Sequence, residues 1–225
     1  MKRLVFLSSG GGGTFRCVYW YLKSISNPPW EIVGVIADRP CGTLEDARKY
    51  GILTHQIDYS AQQPQALHAL LATLQPDLIV STFLKQIDAE TCITFQNRLL
   101  NLHYSLLPEY KGFHGINTLK AICADGKTES GTTVHWVTAE VDTGGIIAQN
   151  HFPLPPNRSL EELMELVFRA ACLNLLNVLC SFQAAIAGTT KQVLLEASVA
   201  VRFDQDLALK PEVFTSAFWE QVKNG

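Results

Sequence analysis

Short apolar runs recur along the first half of the chain, each closed by small or polar residues. Residues 4–7 (LVFL), 32–36 (IVGVI), 78–80 and 99–102 have the length of buried strands rather than of helices, and the more polar residues 53–57 (LTHQI) read as a further strand. Between them, residues 14–25, 44–50 and 64–74 carry a helical pattern, the second of these stopped by Gly51, and residues 89–95 make a further helical segment. Apolar strands alternating with helices predict βαβ units. The implied architecture is α/β: a Rossmann-like, mostly parallel sheet flanked by helices on both faces. Ligands of such sheets bind beyond the carboxyl ends of the strands.

The second half changes character. Residues 116–124 read as a helix, and 132–137 and 146–152 are β-rich. Gly144-Gly145 between these two runs predicts a tight hairpin turn. A long apolar-rich helical pattern runs from Leu160 to about residue 186, with Ser159 placed as its N-cap and Glu162 closing a capping box. After Lys191, valine-rich runs and Pro211 predict strands and a short helix, an antiparallel extension of the sheet. The expected division is a main domain over residues 1–190, with residues 191–225 as an extension packed on it. No internal repeat or low-complexity linker interrupts this order.

Composition narrows the class. The 225 residues are 47% hydrophobic and 17% charged, which suits a packed core and argues against disorder. A net charge of −3 with interspersed signs offers no basic stripe, so no nucleic-acid partner is expected. The start MKRLVFL breaks into SSGGGG without a cleavage pattern, and no segment approaches the roughly 20 apolar residues of a bilayer span. The chain reads as cytoplasmic, with no membrane partner. Its six cysteines are scattered without a C-x-x-C pair and read as free thiols rather than metal ligands.

Candidate chemistry enters at NLHYSLLPEYKG. Alternation puts Asn101 and His103 on one side of an extended segment, at the mouth of a buried strand. Such a pair is either a site or a satisfied strand end. Residues 10–13, four glycines between a strand and a helix, expose N–H groups suited to a phosphate or carboxylate, or else form a flexible turn. The dinucleotide pattern G-x-G-x-x-G fails, because Phe15 stands where its third glycine belongs. Asp142 precedes the glycine pair, where an aspartate often only holds a turn. Taken with Asn101 and His103 it completes a usable set. An amide and an imidazolium donate to an oxyanion, and a carboxylate holds the imidazole charged. His135 reads as a structural strand residue.

Asn101-x-His103, the SLLP turn and V-D-T-G-G-I-I about 40 residues later resemble the folate-dependent formyltransferases, from the first strand to about residue 155. The opening strand, glycine loop and length are most similar to the phosphoribosylglycinamide branch of that family. The resemblance implies the formyltransferase fold and a catalytic trio of Asn101, His103 and Asp142. It implies 10-formyltetrahydrofolate as co-substrate, no metal, and direct attack on the formyl carbon by a small primary amine, possibly phosphorylated, with phosphoribosylglycinamide the leading acceptor. Leu84, Lys85, Gln86 and Ile87 correspond to one wall of the folate pocket, and Ala139, Glu140 and Val141 to the second. Gly11, Gly12, Gly13, Thr14 and Arg169 correspond to acceptor-binding positions. Thr133 matches a family position near the trio, where it could help to orient it. Two departures touch the acceptor: Thr14 stands near the place of a common asparagine, and residues 168–171 (FRAA) lack an acidic residue followed by histidine. The alternatives are an amino-sugar or hydroxylated-amino-acid formyltransferase, a formyltetrahydrofolate hydrolase, and a non-catalytic folate-binding paralogue.

Overall fold

β1 (Lys2–Ser8), β2 (Trp30–Ala37), β3 (Thr54–Gln56), β4 (Leu78–Thr82) and β5 (Leu99–His103) grow from the five expected strands in the computed structural model, which describes residues 1–182, 191–196 and 199–225. All pair in parallel, in the order β3-β2-β1-β4-β5. The helices between them are α1 (Gly13–Ser24), α2 (Gly42–Lys49), α3 (Gln65–Leu74) and α4 (Ala89–Thr94). The run LVFL is apolar at every position because both its faces are covered. Val5 and Leu7 join Ile36, Ile79 and Leu99 against Leu67, Leu71 and Leu74 of α3. On the opposite face Phe6 meets Phe15 of α1 edge-on, ring centres 5.5 Å apart.

The chain divides into two compact units. Residues Met1–Asn101, Trp136–Glu140 and Glu212–Gly225 form the first, and Leu102–His135 with Val141–Pro211 the second. β5 therefore starts in one unit, and its last two residues belong to the other. The first unit ends with α7 (Ser216–Asn224), next to Phe214, whose ring stacks on Tyr21 of α1 at 5.5 Å.

In the second unit α5 (Ile116–Ala124) precedes β6 (Glu129–Trp136) and β7 (Ile146–Pro153). Then come α6 (Leu160–Ser181), β8 (Gln192–Glu196) and β9 (Val199–Phe203). These strands are antiparallel, in the order β6-β7-β9-β8. The fold class is α/β, a Rossmann-like parallel sheet flanked by helices, followed along the chain by an antiparallel extension.

Buried amides fasten α6 to the hairpin. Asn150 Oδ1 accepts from Thr132 N and Oγ1, at 3.1 and 2.7 Å, and its Nδ2 donates to the Ala170 carbonyl at 2.8 Å. Asn174 Nδ2 donates to the Thr132 carbonyl at 3.0 Å. The Ser159–Glu162 capping box is present at the start of α6.

Two expectations need correction. α6 is long and apolar enough to cross a bilayer by length and composition alone, with a mean hydropathy of 1.6 over its most apolar window, yet 78% of that window is buried inside the protein. Its apolar residues fill a core on several faces, which raises hydropathy as a membrane span would. Helix continues to Ser181, and the rest of the expected pattern, from residue 183 to about 186, lies outside the described residues. The hairpin is not closed by a tight Gly144-Gly145 turn either. Residues 137–145 make a longer connection, and the left-handed residue in it is Asp142, at φ 52°.

Candidate active site

At the carboxyl end of β1 the chain passes through residues 9–12 into α1, with Gly12 as a left-handed N-cap at φ 88°. The carbonyls of this loop are held by the protein. Gly10 O accepts from Thr43 N and Oγ1, at 3.3 and 3.0 Å, and Gly11 O from Arg16 Nη1 at 2.9 Å. Thr14 is the second residue of α1, half-buried. Beside the loop, Asp38 at the end of β2 accepts from Ser9 Oγ at 2.7 Å and from the Arg39 guanidinium on both carboxylate oxygens. Burial would push the Asp38 carboxyl up, but Arg39, Ser9 and the nearby Lys85 together hold it below its usual range.

The segment after β4 carries the first expected folate wall. Leu84 donates its N–H to Ser9 Oγ at 3.0 Å and leaves its side chain 57% exposed. Lys85 turns inward: its ammonium donates to the Tyr59 carbonyl at 2.6 Å and lies 3.7 Å from Asp38. The Gln86 side-chain amide donates to the Ala139 carbonyl, joining this segment to residues of the second wall, and Ile87 is buried in the core. The Tyr59 hydroxyl accepts from Asp88 N at 2.9 Å and so fixes the end of the loop. Glu140 is exposed, its carbonyl accepting from Thr138 Oγ1, and Val141 presents an apolar side chain that is 39% exposed. A cavity of about 560 Å³ lined by Tyr19, Trp30, Tyr50 and Leu53 lies at the amino ends of β1 and β2, the end away from ligands in parallel sheets.

The second unit builds the charged centre. Along the chain, Asn101 closes this stretch of the first unit, half-buried and paired in register with Ser81 of β4, two residues before buried His103 on β5. His103 Nδ1 is 3.5 Å from Asp142 Oδ2, and His103 Nε2 is 3.2 Å from the Tyr110 carbonyl. The other carboxylate oxygen, Oδ1, is 3.5 Å from His135 Nε2, and Gly112 N–H donates to Oδ2 at 2.9 Å. Asp142 thus lies between two imidazoles, its side chain only 4% exposed. Burial opposes its charge, yet the contact with His135, the Gly112 N–H and the charge of His103 bring its pKa down to about 2.

His103 shows the opposite balance. Burial pushes its pKa below the ordinary value, while Asp142 and the Tyr110 carbonyl pull it up. Both ring nitrogens face acceptors, so one proton serves only one of them. The doubly protonated ring alone satisfies both, and burial is what holds it back. His135 and His114 also disfavour that second charge.

Thr133 acts on the SLLP turn rather than on the trio. Its hydroxyl donates to the Ser105 carbonyl at 2.7 Å and accepts from Leu107 N and Gln149 Nε2, at 3.0 and 2.9 Å. Gly131 gives that turn its room: a Cβ there would overlap the Leu106 side chain and the Asn150 carbonyl. A register shift between Val134 and His135, with an extra residue on β7, re-aims the strand where His135 reaches Asp142. Sequence reading missed this role of His135. Its same-face spacing from Thr133 was the available signal. Arg169, on α6, is paired with Glu165 one turn earlier, at 2.7 Å.

A parallel sheet with an Asn-x-His strand end, followed by a carboxylate bracketed by imidazoles, defines a Rossmann-like α/β protein. Comparison with known proteins gives that class a family. The family model described as "Formyl transferase" matches residues 2–179, and the chain belongs to that family. It is similar to the chloroplastic phosphoribosylglycinamide formyltransferase of Vigna unguiculata, 34% identical over 170 residues, which is 72% of this chain and 54% of that protein. The phosphoribosylglycinamide formyltransferase of Mycobacterium tuberculosis is 32% identical over 169 residues, 72% of this chain and 76% of that one. The solved structure of the Coxiella burnetii phosphoribosylglycinamide formyltransferase superposes with a TM-score of 0.75 at 29% identity, covering 82% of this chain and 88% of that chain. The match to the plant relative spans about half of its length.

Proposed function

We propose that the protein transfers the formyl group of 10-formyltetrahydrofolate to the primary amine of phosphoribosylglycinamide. The observation that carries this reading is the His103–Asp142 contact of 3.5 Å, two residues beyond Asn101 on the same strand, in a member of the formyl transferase family. The named relatives support the choice of acceptor.

The acceptor nitrogen attacks the formyl carbon, and the carbonyl oxygen becomes an oxyanion. The Asn101 amide and His103 donate to it. Burial resists a second proton on His103, and the Asp142 carboxylate opposes that burial only in part. The developing oxyanion offsets the burial that opposes its second proton, while Asp142 keeps its own charge throughout. Collapse breaks the bond between the formyl carbon and N10. The acceptor nitrogen gives up one proton and N10 takes one up through a water, which the Asp142 carboxylate orients without taking the proton itself. Leu84 and Val141, each within its own unit, carry exposed apolar side chains of the kind a pterin ring packs on. Gln86 and Lys85, with their side chains turned to Ala139 and Tyr59, contribute backbone groups. The remaining wall residues, Ile87, Ala139 and Glu140, serve likewise through their backbone. The N–H groups of Gly11, Gly12 and Gly13 and the Thr14 hydroxyl receive the acceptor phosphate. Arg169, held by Glu165, remains an acceptor position on α6. We also assign residues 1–190 to the catalytic domain and 191–225 to its extension, in the cytoplasm.

The test follows tetrahydrofolate release from 10-formyltetrahydrofolate by absorbance. Release that requires phosphoribosylglycinamide is expected. Release without any amine would make the protein a hydrolase. Release only with an amino sugar or hydroxylated amino acid would reassign the acceptor. Binding without release would leave a folate-binding protein.

A further inference from the structure

Arg16 joins three segments that the chemistry above does not explain. Its Nη1 donates to the Gly11 carbonyl at 2.9 Å and to Asp46 Oδ2 of α2 at 2.6 Å, and its Nε donates to the Val222 carbonyl of α7 at 2.6 Å. Its side chain is 15% exposed and that of Asp46 7%. An arginine so placed uses the fixed fork of its guanidinium to set a distance between elements.

The consequence for the glycine loop follows from peptide geometry. In a trans peptide the N–H points opposite to the carbonyl of the same unit. Thr43 holds the Gly10 carbonyl and Arg16 the Gly11 carbonyl, while the Gly12 carbonyl accepts from Arg16 N at 2.8 Å in the first turn of α1. The N–H groups of Gly11 and Gly12 are therefore turned away from Thr43 and from the Arg16 guanidinium. Close approach of α2 is part of the arrangement, since a Cβ at Gly42 would come 2.8 Å from Gly11 O, and one at Gly12 2.8 Å from Asp46 Oδ2. Four glycines without this anchorage would sample many conformations. With it, the loop presents its amides already oriented, and preorganisation of this kind shows as affinity.

We propose that Arg16 is a positioning residue that couples the docking of α7 to the orientation of the Gly11 and Gly12 amides, and so sets affinity for the acceptor's anionic group. The proposal rests on the reading of this loop as the acceptor-phosphate site. Arg16 touches no reacting atom, so its effect falls on acceptor binding and not on the chemical step.

The experiment compares the full-length wild type with Arg16→Lys, Arg16→Met and the double variant Arg16→Met/Asp46→Asn, which removes the buried carboxylate that the single change would strand. Three readouts are taken: KM for acceptor and for folate with kcat, inhibition by inorganic phosphate, and amide hydrogen exchange of residues 10–13. In the folded double variant, acceptor KM and the phosphate inhibition constant rise about fivefold to tenfold, as expected when loop order rather than a ligand contact is lost. Folate KM and kcat stay within about twofold, and exchange at residues 11–13 accelerates. Arg16→Lys, which keeps the charge but loses the fork, falls between. The proposal is overturned by unchanged loop exchange and unchanged phosphate inhibition in a folded variant. It is equally overturned by a joint rise of both KM values with a fall in kcat, the mark of a general structural role. Hydrogen exchange does not depend on the acceptor's identity. A wild type that transfers no formyl group would sink the functional reading and leave this one to be decided by exchange.

Discussion

Replacing Asp142 by asparagine keeps the shape of the side chain and removes its charge, so it isolates what the carboxylate contributes. In the native protein the group titrates near 2 instead of 3.8, and with a side chain only 4% exposed there is little solvent screening. That difference corresponds to roughly 2 kcal/mol of stability. A carboxyl held below its unfolded value stabilises the fold above a pH of about 4, and this contribution drains away as the pH falls through about 2. Chemical unfolding of wild type and Asp142→Asn at pH 6, 4, 3 and 2 should therefore give stability curves that converge towards acid, the gap shrinking by roughly 2 kcal/mol. Formyl transfer at neutral pH should fall about 10²–10³-fold, the scale for losing one charge-stabilising element of an oxyanion site. Folate affinity should stay within about twofold. Parallel unfolding curves across that range, or a variant with near-normal turnover, would refute the placement of a permanent negative charge between His103 and His135.

The remaining expectations address the neighbours of that charge. Asn101→Ala and His103→Ala should each lower turnover about 10²–10³-fold with folate affinity little changed, read by steady-state kinetics beside equilibrium binding. Thr133→Val strands the Leu107 N–H, the Ser105 carbonyl and Gln149, and should cost about 2–3 kcal/mol in chemical unfolding. A loss below about 0.5 kcal/mol would show that the turn holds itself. His135→Gln removes the group that does most to hold Asp142 ionised and that opposes charge on His103. Imidazole titration followed by NMR should then place His103 higher than in the wild type, and an unmoved His103 would deny the coupling.

The parallel half of the fold was legible because burial on both faces leaves a plain record. LVFL, IVGVI and residues 78–80 carry no polar side chain, and their boundaries shifted by only a residue or two when β1, β2 and β4 formed. Asn101 and His103 were legible for a related reason, since the period of a strand fixes which side chains share a side. The connection between β6 and β7 was not. Gly144-Gly145 carries the usual signature of a tight turn, yet the left-handed conformation falls on Asp142. That residue's partners are Gly112, 30 positions earlier, and His135 at a strand irregularity. Local propensity holds no information about either. The inward turn of Lys85 was hidden in the same way, because it depends on a carbonyl 26 residues away on Tyr59.

What these misses share is a polar group whose role is set by an acceptor or donor distant in sequence, and the site is made of such groups. Asp142 is kept charged by contacts from two directions, so it is poorly suited to store a proton between steps. His103 faces acceptors on both ring nitrogens while burial resists a second proton, so its charge can follow the charge of whatever lies beside it. A fixed anion next to a poised imidazole divides the work: one group holds the field and the other answers to it. The amide of Asn101, which does not titrate, adds a donor whose strength is independent of pH. On this division His103 is the member of the trio whose titration the pH dependence of formyl transfer should report, beside that of the attacking amine, with Asp142 silent above a pH of about 4.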